Sequence, residues 1–215
     1  MPEYKQKSKI DYSLYLVTDR NCLNGKNLFE SVDNAIKGGV TVVQLREKLA
    51  SSREFYTVGM KLKEITKYYN VPLIINDRVD IALALDADGV HVGQDDLDAE
   101  MVRKLIGNNK IVGVSTKTIE QALQAKHSGV DYLGVGAVFP TLTKQDTSEL
   151  SFDEISCICK AVDIPVLGIG GISQENVAKL NKIGLEGICV VSAILSNQDC
   201  KLAASNLKQS FKNLK

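Results

Sequence analysis

Several patterns are missing from this chain of 215 residues, and each absence excludes a class of protein. Lysine plus arginine total 26, as do aspartate plus glutamate, so no overall field attracts nucleic acid or an anionic membrane. No apolar run approaches the roughly 18–20 residues that a membrane-spanning helix needs. Residues 1–11 are polar and lack the apolar segment of a signal peptide. We therefore expect a cytoplasmic protein without membrane or nucleic-acid partners, whose anion sites are local.

Metal and redox motifs are also scarce. The two histidines are too few and too far apart for a histidine metal cluster. The five cysteines are odd in number, and no pair has the C-x-x-C spacing of a zinc or redox site. Cys157 and Cys159 lie two positions apart on a predicted helix, so they face different ways. The sequence predicts free thiols in a reducing compartment.

Eight short apolar runs recur along the chain, with helical patterns between them: 14–18, 41–45, 73–76, 89–92, 111–115, 132–135, 166–169 and 187–191. Strand–helix alternation predicts parallel strands with right-handed crossovers. Eight such units predict an α/β fold, a single-domain (β/α)8 barrel over residues 1–215, near the lower size limit of about 200 residues. The alternative is an open doubly wound sheet, whose glycine-rich motif after the first strand is missing here.

The helices show their own start signals. The clearest helical pattern covers residues 53–69, where apolar residues follow the 3.6-residue period. A terminal helix is predicted over residues 198–214. Three predicted helices begin with a capping-box pair three residues apart: Ser51 with Glu54, Thr118 with Gln121, and Ser151 with Glu154.

The second predicted strand carries an unusual set of side chains. Val42, Gln44, Arg46 and Lys48 share one parity, so they point to the same face of an extended strand. That face begins apolar and ends in an amide and two cations. A buried strand cannot turn two cations inward unless that end opens onto water or an anion. The pattern indicates the carboxyl end of a barrel strand at an anionic substrate.

Two aspartates end neighbouring strands. Asp77 follows the third strand and Asp96 the fourth, so their carboxylates can converge at the end of the barrel where active sites form. Hard oxygen ligands of this kind suit Mg²⁺ that also binds substrate phosphate. The structural alternative is that each aspartate caps the helix that follows it. With Arg46, Lys48 and Lys144 nearby, a metal–diphosphate site is the favoured interpretation.

The ends of the seventh and eighth strands predict a second anion site. Backbone amides of Gly170 and Gly171, and those near Ser192 at the start of a short helix, would cradle a phosphate. The alternative is that the glycines only form a tight turn. His91 is predicted to be a hydrogen-bonded barrel side chain rather than a catalyst. Ser115 has no obvious histidine and acid partners, so a nucleophilic role is not expected.

These strand ends, taken in order, resemble the thiamine-phosphate synthase family. The resemblance covers about residues 15–195, and its most specific pieces are residues 44–48, 75–77, 89–96, 113–115, 140–144, 168–171 and 191–192. It implies a transferase of thiamine biosynthesis. The family joins hydroxymethylpyrimidine diphosphate to a thiazole phosphate, or its carboxylated form, and releases diphosphate.

The resemblance also implies a role for each matching residue. Catalysis would rest on Arg46, Lys48, Ser115 and Lys144, and the metal, Mg²⁺, would bind Asp77 and Asp96. The diphosphate would be held by Arg46, Lys48, Asn76 and Lys144, and the pyrimidine contacted by Gln44 and Ser115. The thiazole phosphate would be held by Thr141, Thr143, Gly171, Val191 and Ser192. The chain departs from the family at Lys117, where a histidine is common, which puts any role of that histidine in doubt.

Two rival functions are compatible with the same scaffold. A thiazole tautomerase would isomerise its substrate without losing diphosphate, and would not need the charged set described above. A non-enzymatic sensor would bind thiamine phosphate without turnover and would need no metal pair. The sequence favours the synthase over both; it is compatible with a homo-oligomer but does not determine the oligomeric state.

Overall fold

Eight parallel strands close into a barrel, as the strand–helix alternation predicts. The computed structural model describes residues 10–141 and 149–214. Neighbouring strands pair in chain order, and β1 closes the barrel against β8 with Leu14 opposite Ile188. The strands are β1 Leu14–Val17, β2 Val42–Leu45, β3 Leu73–Asn76, β4 Gly89–Val92, β5 Ile111–Thr116, β6 Tyr132–Val135, β7 Val166–Ile169 and β8 Gly187–Val190.

Helices surround the barrel. Within the described ranges they are α1 Leu28–Lys37, α2 Ser52–Tyr68, α3 Val79–Ala84, α4 Ala99–Ile106, α5 Ile119–His127, α6 Phe152–Ala161, α7 Ser192–Leu195 and α8 Cys200–Lys212. Short 3-10 turns occupy Arg20–Cys22 and Val177–Leu180. The second of these is the only helical segment described between β7 and β8, so that crossover has no α-helix.

Two of the three predicted capping boxes form completely. Ser51 and Ser151 each accept a hydrogen bond from the amide three residues on. The glutamate carboxylate at that position accepts one from the serine amide. Thr118 accepts from the Gln121 amide, but the Gln121 side chain accepts from the amide of Lys117 instead of Thr118. The third box is therefore only half right.

Side-chain parity divides the core into two layers. Val42 and Gln44 of β2 point into the barrel, whereas Val43 and Leu45 pack between the sheet and the helices, as the alternation predicts. The inner layer contains Tyr12, Tyr15, Val17, Val42, Ile74, Ile111, Tyr132, Leu167 and Cys189. A barrel this narrow is filled by side chains, so a substrate has to bind at its mouth.

Candidate active site

Arg46 is held in place from two sides at the mouth of the barrel. Its amide donates to the Thr18 hydroxyl oxygen at 3.0 Å, which ties it to the end of β1. Its guanidinium donates to the nearly buried Asp19 carboxylate at 2.7 Å. Next to this pair, Arg20 donates to Glu47 at 2.8 Å. Sequence reasoning missed Asp19, although its position directly after the end of β1 was a usable signal.

Lys48 and the two aspartates form the second charged group of the mouth. The Lys48 ammonium lies 2.7 Å from an Asp77 carboxylate oxygen. Partial burial, together with the neighbouring Asp77 carboxylate, raises the pKa of Asp96 above its ordinary value. The two carboxylates therefore converge, as their strand positions predict. Asn76, the residue before Asp77, ends β3 with its side chain on the inner face.

Neither aspartate caps a helix, so the structural alternative is wrong. Helix α3 has Arg78 at its N-cap position without a side-chain cap, and Asp98 caps α4. Asp96 instead accepts a hydrogen bond from the Gly93 amide at 2.7 Å. Asp77 has a left-handed backbone with φ of 62°, which is uncommon outside glycine and asparagine or aspartate.

The charged groups of the described mouth fit a divalent cation. Among the described residues, four carboxylates stand against three cations, so carboxylates outnumber cations where an anion is expected to bind; the carboxylates are Asp19, Glu47, Asp77 and Asp96, and the cations are Arg20, Arg46 and Lys48. Partial burial and then the Asp77 carboxylate raise the pKa of Asp96, and a cation between the two carboxylates would offset the repulsion between them. The described residues contain no group of three or more metal-binding side chains. A two-carboxylate set matches Mg²⁺, which takes remaining ligands from phosphate and water.

A chain of hydrogen bonds crosses the barrel just below the mouth. Gln44 Nε2 donates to the Tyr15 hydroxyl at 2.9 Å, and that hydroxyl lies 2.7 Å from the Tyr132 hydroxyl. The Tyr132 hydroxyl lies 2.9 Å from His91 Nδ1, and His91 Nε2 lies 2.9 Å from Ser115 Oγ. His91 is thus a hydrogen-bonded barrel side chain, as predicted.

Ser115 has a histidine partner that the sequence did not reveal. His91 and Ser115 are inward-facing residues of adjacent strands, a relation that the sequence separation of 24 residues hides. The other nitrogen of the ring contacts the Tyr132 hydroxyl rather than a carboxylate. The arrangement therefore differs from a serine–histidine–acid triad, and a nucleophilic Ser115 gains no support.

The loops after β6 and β7 lie against each other. The Phe139 amide donates to the Gly170 carbonyl at 3.1 Å. A side chain at Gly171 would meet the Pro140 carbonyl oxygen at 2.3 Å, so glycine is required there, and φ is 63°. The contact brings Thr141, which follows Pro140, toward the turn at Gly171. The predicted residues Thr143 and Lys144 lie outside the described residues.

The end of β8 leads directly into the short helix that the sequence predicts. Val191 stands at the N-cap position and exposed Ser192 is the first residue of α7. On the other side of the turn at Gly171, Asn176 donates to the Gly171 carbonyl at 2.8 Å. Gly170 and Gly171 both have positive φ and form a tight turn, and the anion site at this turn stays a prediction.

Two further expectations concern the whole chain. All five cysteines are free thiols. Among the helices described here, none is both long enough and apolar enough to cross a membrane.

Comparisons with known proteins agree over nearly the full length. The model of the thiamine monophosphate synthase family matches residues 14–194. A thiamine-phosphate synthase of Alkaliphilus oremlandii is 54% identical over 208 residues, covering 97% of this chain and 100% of that protein. One from Ruminiclostridium cellulolyticum is 56% identical over 207 residues, covering 96% and 99%. A solved thiamine phosphate pyrophosphorylase from Pyrococcus furiosus is 38% identical with a TM-score of 0.88, covering 95% and 98%.

Proposed function

This chain belongs to the thiamine monophosphate synthase family, and on that basis we propose how the mouth of its barrel makes thiamine phosphate. The chain is a transferase of thiamine biosynthesis that acts on small molecules. Its substrates are hydroxymethylpyrimidine diphosphate and a thiazole phosphate, or its carboxylated form. The observation that carries the mechanism is the convergence of Lys48, Asp77 and Asp96 beside Arg46.

The pyrimidine diphosphate binds over β2, β3 and β4. Arg46, Lys48 and Asn76 hold the diphosphate with Lys144, and Asp77 and Asp96 hold Mg²⁺. When bound, Mg²⁺ supplies positive charge to the leaving oxygens. Salt bridges with Asp19 and Asp77 keep both cations in position before substrate arrives, which favours stabilisation of charge that develops during the reaction.

The thiazole phosphate binds over β6, β7 and β8. Thr141, Thr143, Gly171, Val191 and Ser192 surround its phosphate. Gln44 and Ser115 contact the pyrimidine between the two anion sites. Two phosphates anchored at separate points of one rim hold the reacting carbon and nitrogen at attack distance.

The reaction proceeds by departure of diphosphate before attack. The bond between the methylene carbon and the diphosphate oxygen breaks, and its electron pair leaves with diphosphate. The thiazole nitrogen then gives its lone pair to the pyrimidine methylene cation. With the carboxylated thiazole, the bond to the carboxyl group also breaks, CO2 leaves, and the electron pair left on the ring carbon takes a proton from water. No enzyme base is needed, because the nitrogen carries no proton. A trifluoromethyl group in place of the pyrimidine methyl should slow single-turnover chemistry by orders of magnitude, and an unchanged rate would favour concerted displacement.

Incubation of the purified protein with both substrates and Mg²⁺ tests the function. We expect thiamine phosphate and diphosphate in equal amounts, and none in excess EDTA. Full product formation in EDTA would contradict the metal assignment. Tight binding of thiamine phosphate without turnover would support a sensor, and isomerisation of a thiazole without diphosphate release would support a tautomerase.

We extend the proposal to the setting of the enzyme. Residues 1–215 act as one catalytic domain in the cytoplasm, without nucleic acid or membrane as partners, and a homo-oligomer is compatible with it. Sedimentation of the purified protein measures the oligomeric state directly.

A further inference from the structure

The hydrogen-bonded chain below the mouth joins two residues to which the proposed function gives the same task. Gln44 on β2 and Ser115 on β5 both contact the pyrimidine in that proposal, yet they lie on strands separated by β3 and β4. The chain that links them passes only through Tyr15, Tyr132 and His91. Three of these five side chains, Gln44, Tyr15 and Tyr132, are at most 4% exposed.

Each hydroxyl in this chain of hydrogen bonds can donate only once, so the direction of one hydrogen bond fixes the direction of the next. Gln44 Nε2 donates to the Tyr15 oxygen, and Tyr15 therefore donates its O–H to the Tyr132 oxygen. Tyr132 in turn donates its O–H to His91 Nδ1. Burial raises the pKa of both phenols well above its ordinary value, so both are protonated at neutral pH.

The same reasoning fixes the histidine and the serine. Because Nδ1 accepts a hydrogen bond, a neutral His91 has its own proton on Nε2, which donates to Ser115 Oγ. The serine hydroxyl, which accepts this hydrogen bond, can then donate its own O–H to a group at the mouth. At the opposite end, Gln44 uses Nε2 inside the chain, which leaves Oε1 as an acceptor.

One glycine makes space for these hydrogen-bonded side chains. A side-chain carbon at Gly113 would meet Tyr132 Cζ at 2.1 Å, so only glycine allows the phenol to lie against β5. At Gly134, by contrast, an added carbon would meet His91 Cε1 at 3.4 Å, which is ordinary contact. The ring of Tyr12 packs against that of Tyr132, with centroids 5.0 Å apart and planes tilted by 37°, and this contact restricts the Tyr132 ring further.

We propose that Tyr15, Tyr132 and His91 are positioning residues that make Ser115 a hydrogen-bond donor, and Gln44 Oε1 an acceptor, toward an aminopyrimidine. This ring offers both complements, a ring nitrogen that accepts and an amino group that donates. The inference rests on the proposed function for the identity of the ligand. The direction of the hydrogen bonds does not depend on the proposed function.

The histidine tautomer tests the direction without any substrate. The chain has two histidines, so ¹⁵N-histidine labelling gives two ring systems, and His127→Gln identifies that of His91. Long-range ¹H–¹⁵N correlation spectra should show His91 protonated on Nε2 alone. Protonation on Nδ1 would mean that every hydrogen bond in the series has the opposite direction and that the Gln44 amide is turned over. This result would overturn the proposal.

Tyr132→Phe removes one hydroxyl and keeps the ring. We expect the His91 tautomer to become mixed and the KM for the pyrimidine diphosphate to rise about tenfold, with less than twofold change for the thiazole phosphate. Tyr12→Phe is the matched control, because the Tyr12 ring packs in the same cluster but does not belong to the chain of hydrogen bonds. It should change neither the His91 tautomer nor the KM for the pyrimidine diphosphate. Equal rises for both substrates, or an unchanged tautomer, would contradict the positioning role.

A double variant shows whether the effect passes through the serine. If Tyr132 acts by orienting the Ser115 hydroxyl, Tyr132→Phe should add almost nothing to the loss already caused by Ser115→Ala. If the losses caused by Tyr132→Phe and Ser115→Ala multiply in the double variant, Tyr132 does not act through Ser115. If the tautomer result holds but the protein makes no thiamine phosphate, the proposed function fails while the hydrogen-bond direction stands.

Discussion

At the scale of single residues, Asp77 bears most of the proposed metal chemistry. It has a left-handed backbone and forms an ion pair with Lys48, and after partial burial it is the next cause that raises the pKa of Asp96. Uncommon backbone conformations of this kind cost free energy and often occur at functional sites. Asparagine tolerates the same conformation, so Asp77→Asn changes the charge while keeping the shape of the turn.

We expect Asp77→Asn to lower kcat about 100-fold with a smaller effect on the KM of the pyrimidine diphosphate. The stabilisation that it removes grows as the leaving group gains charge. Steady-state kinetics at saturating Mg²⁺ measures this. Asp80→Asn is the control, because Asp80 is an exposed aspartate three residues on, paired with Arg78. A loss confined to KM would contradict the role in the transition state.

Ser192 allows the two anion sites to be separated. Its exposed side chain stands at the start of α7, after β8, and β1 separates that strand from β2, which leads to Lys48. Ser192→Phe should raise the KM of the thiazole phosphate by tenfold or more, because the ring occupies the space of the phosphate, and should hardly change that of the pyrimidine diphosphate. Exposed Ser205 on α8 gives the bulk-matched control, Ser205→Phe. Equal effects of Ser192→Phe on both substrates would argue against separate sites.

At the scale of one element, helix α6 places two cysteines in different surroundings. Cys157 is exposed, whereas burial raises the pKa of the Cys159 thiol to about 11. Since the thiolate is the reactive form, Cys159 stays mostly protonated at pH 8. Limited iodoacetamide treatment followed by peptide mass spectrometry should show Cys157 modified at least ten times faster. Comparable rates would mean that the helix is rotated relative to the barrel.

At the scale of the whole molecule, closure between β1 and β8 decides whether the sheet is a barrel. A side-chain carbon at Gly187 would lie 1.8 Å from the Tyr12 carbonyl oxygen, which is backbone and cannot turn away. Gly187→Ala should therefore lower the free energy of unfolding by about 2–3 kcal/mol, since crowding in a packed core forces backbone shifts. Urea denaturation measures this loss.

The control for Gly187→Ala is a glycine with open space around it. Gly25 has a φ of 82° and no heavy atom within 4 Å of an added carbon. Asparagine tolerates that conformation, so Gly25→Asn should change the unfolding free energy by less than about 1 kcal/mol. An equally small effect of Gly187→Ala would show that the seam between β1 and β8 is not tightly packed.

Much of the site could be predicted from position along the chain. The carboxyl ends of parallel strands meet at one rim, so Arg46, Lys48, Asp77 and Asp96 are expected together once the strands are recognised. Partners from loops and from the interior could not be predicted in this way. Asp19 pairs with Arg46 because a turn after β1 folds it back, and His91 reaches Ser115 because two strands are in one particular register.

The sequence by itself determined the alternation of eight strands with helices, the inward parity of Gln44 and the helix starts at Ser51 and Ser151. These depend on periodicity and on contacts within a few residues. Only the tertiary structure decided which polar groups face each other across the barrel. The chain from Gln44 to Ser115 joins side chains of five strands, and its order depends on barrel stagger and on the space that Gly113 leaves for Tyr132. Such distances arise from packing between strands, which no local pattern encodes.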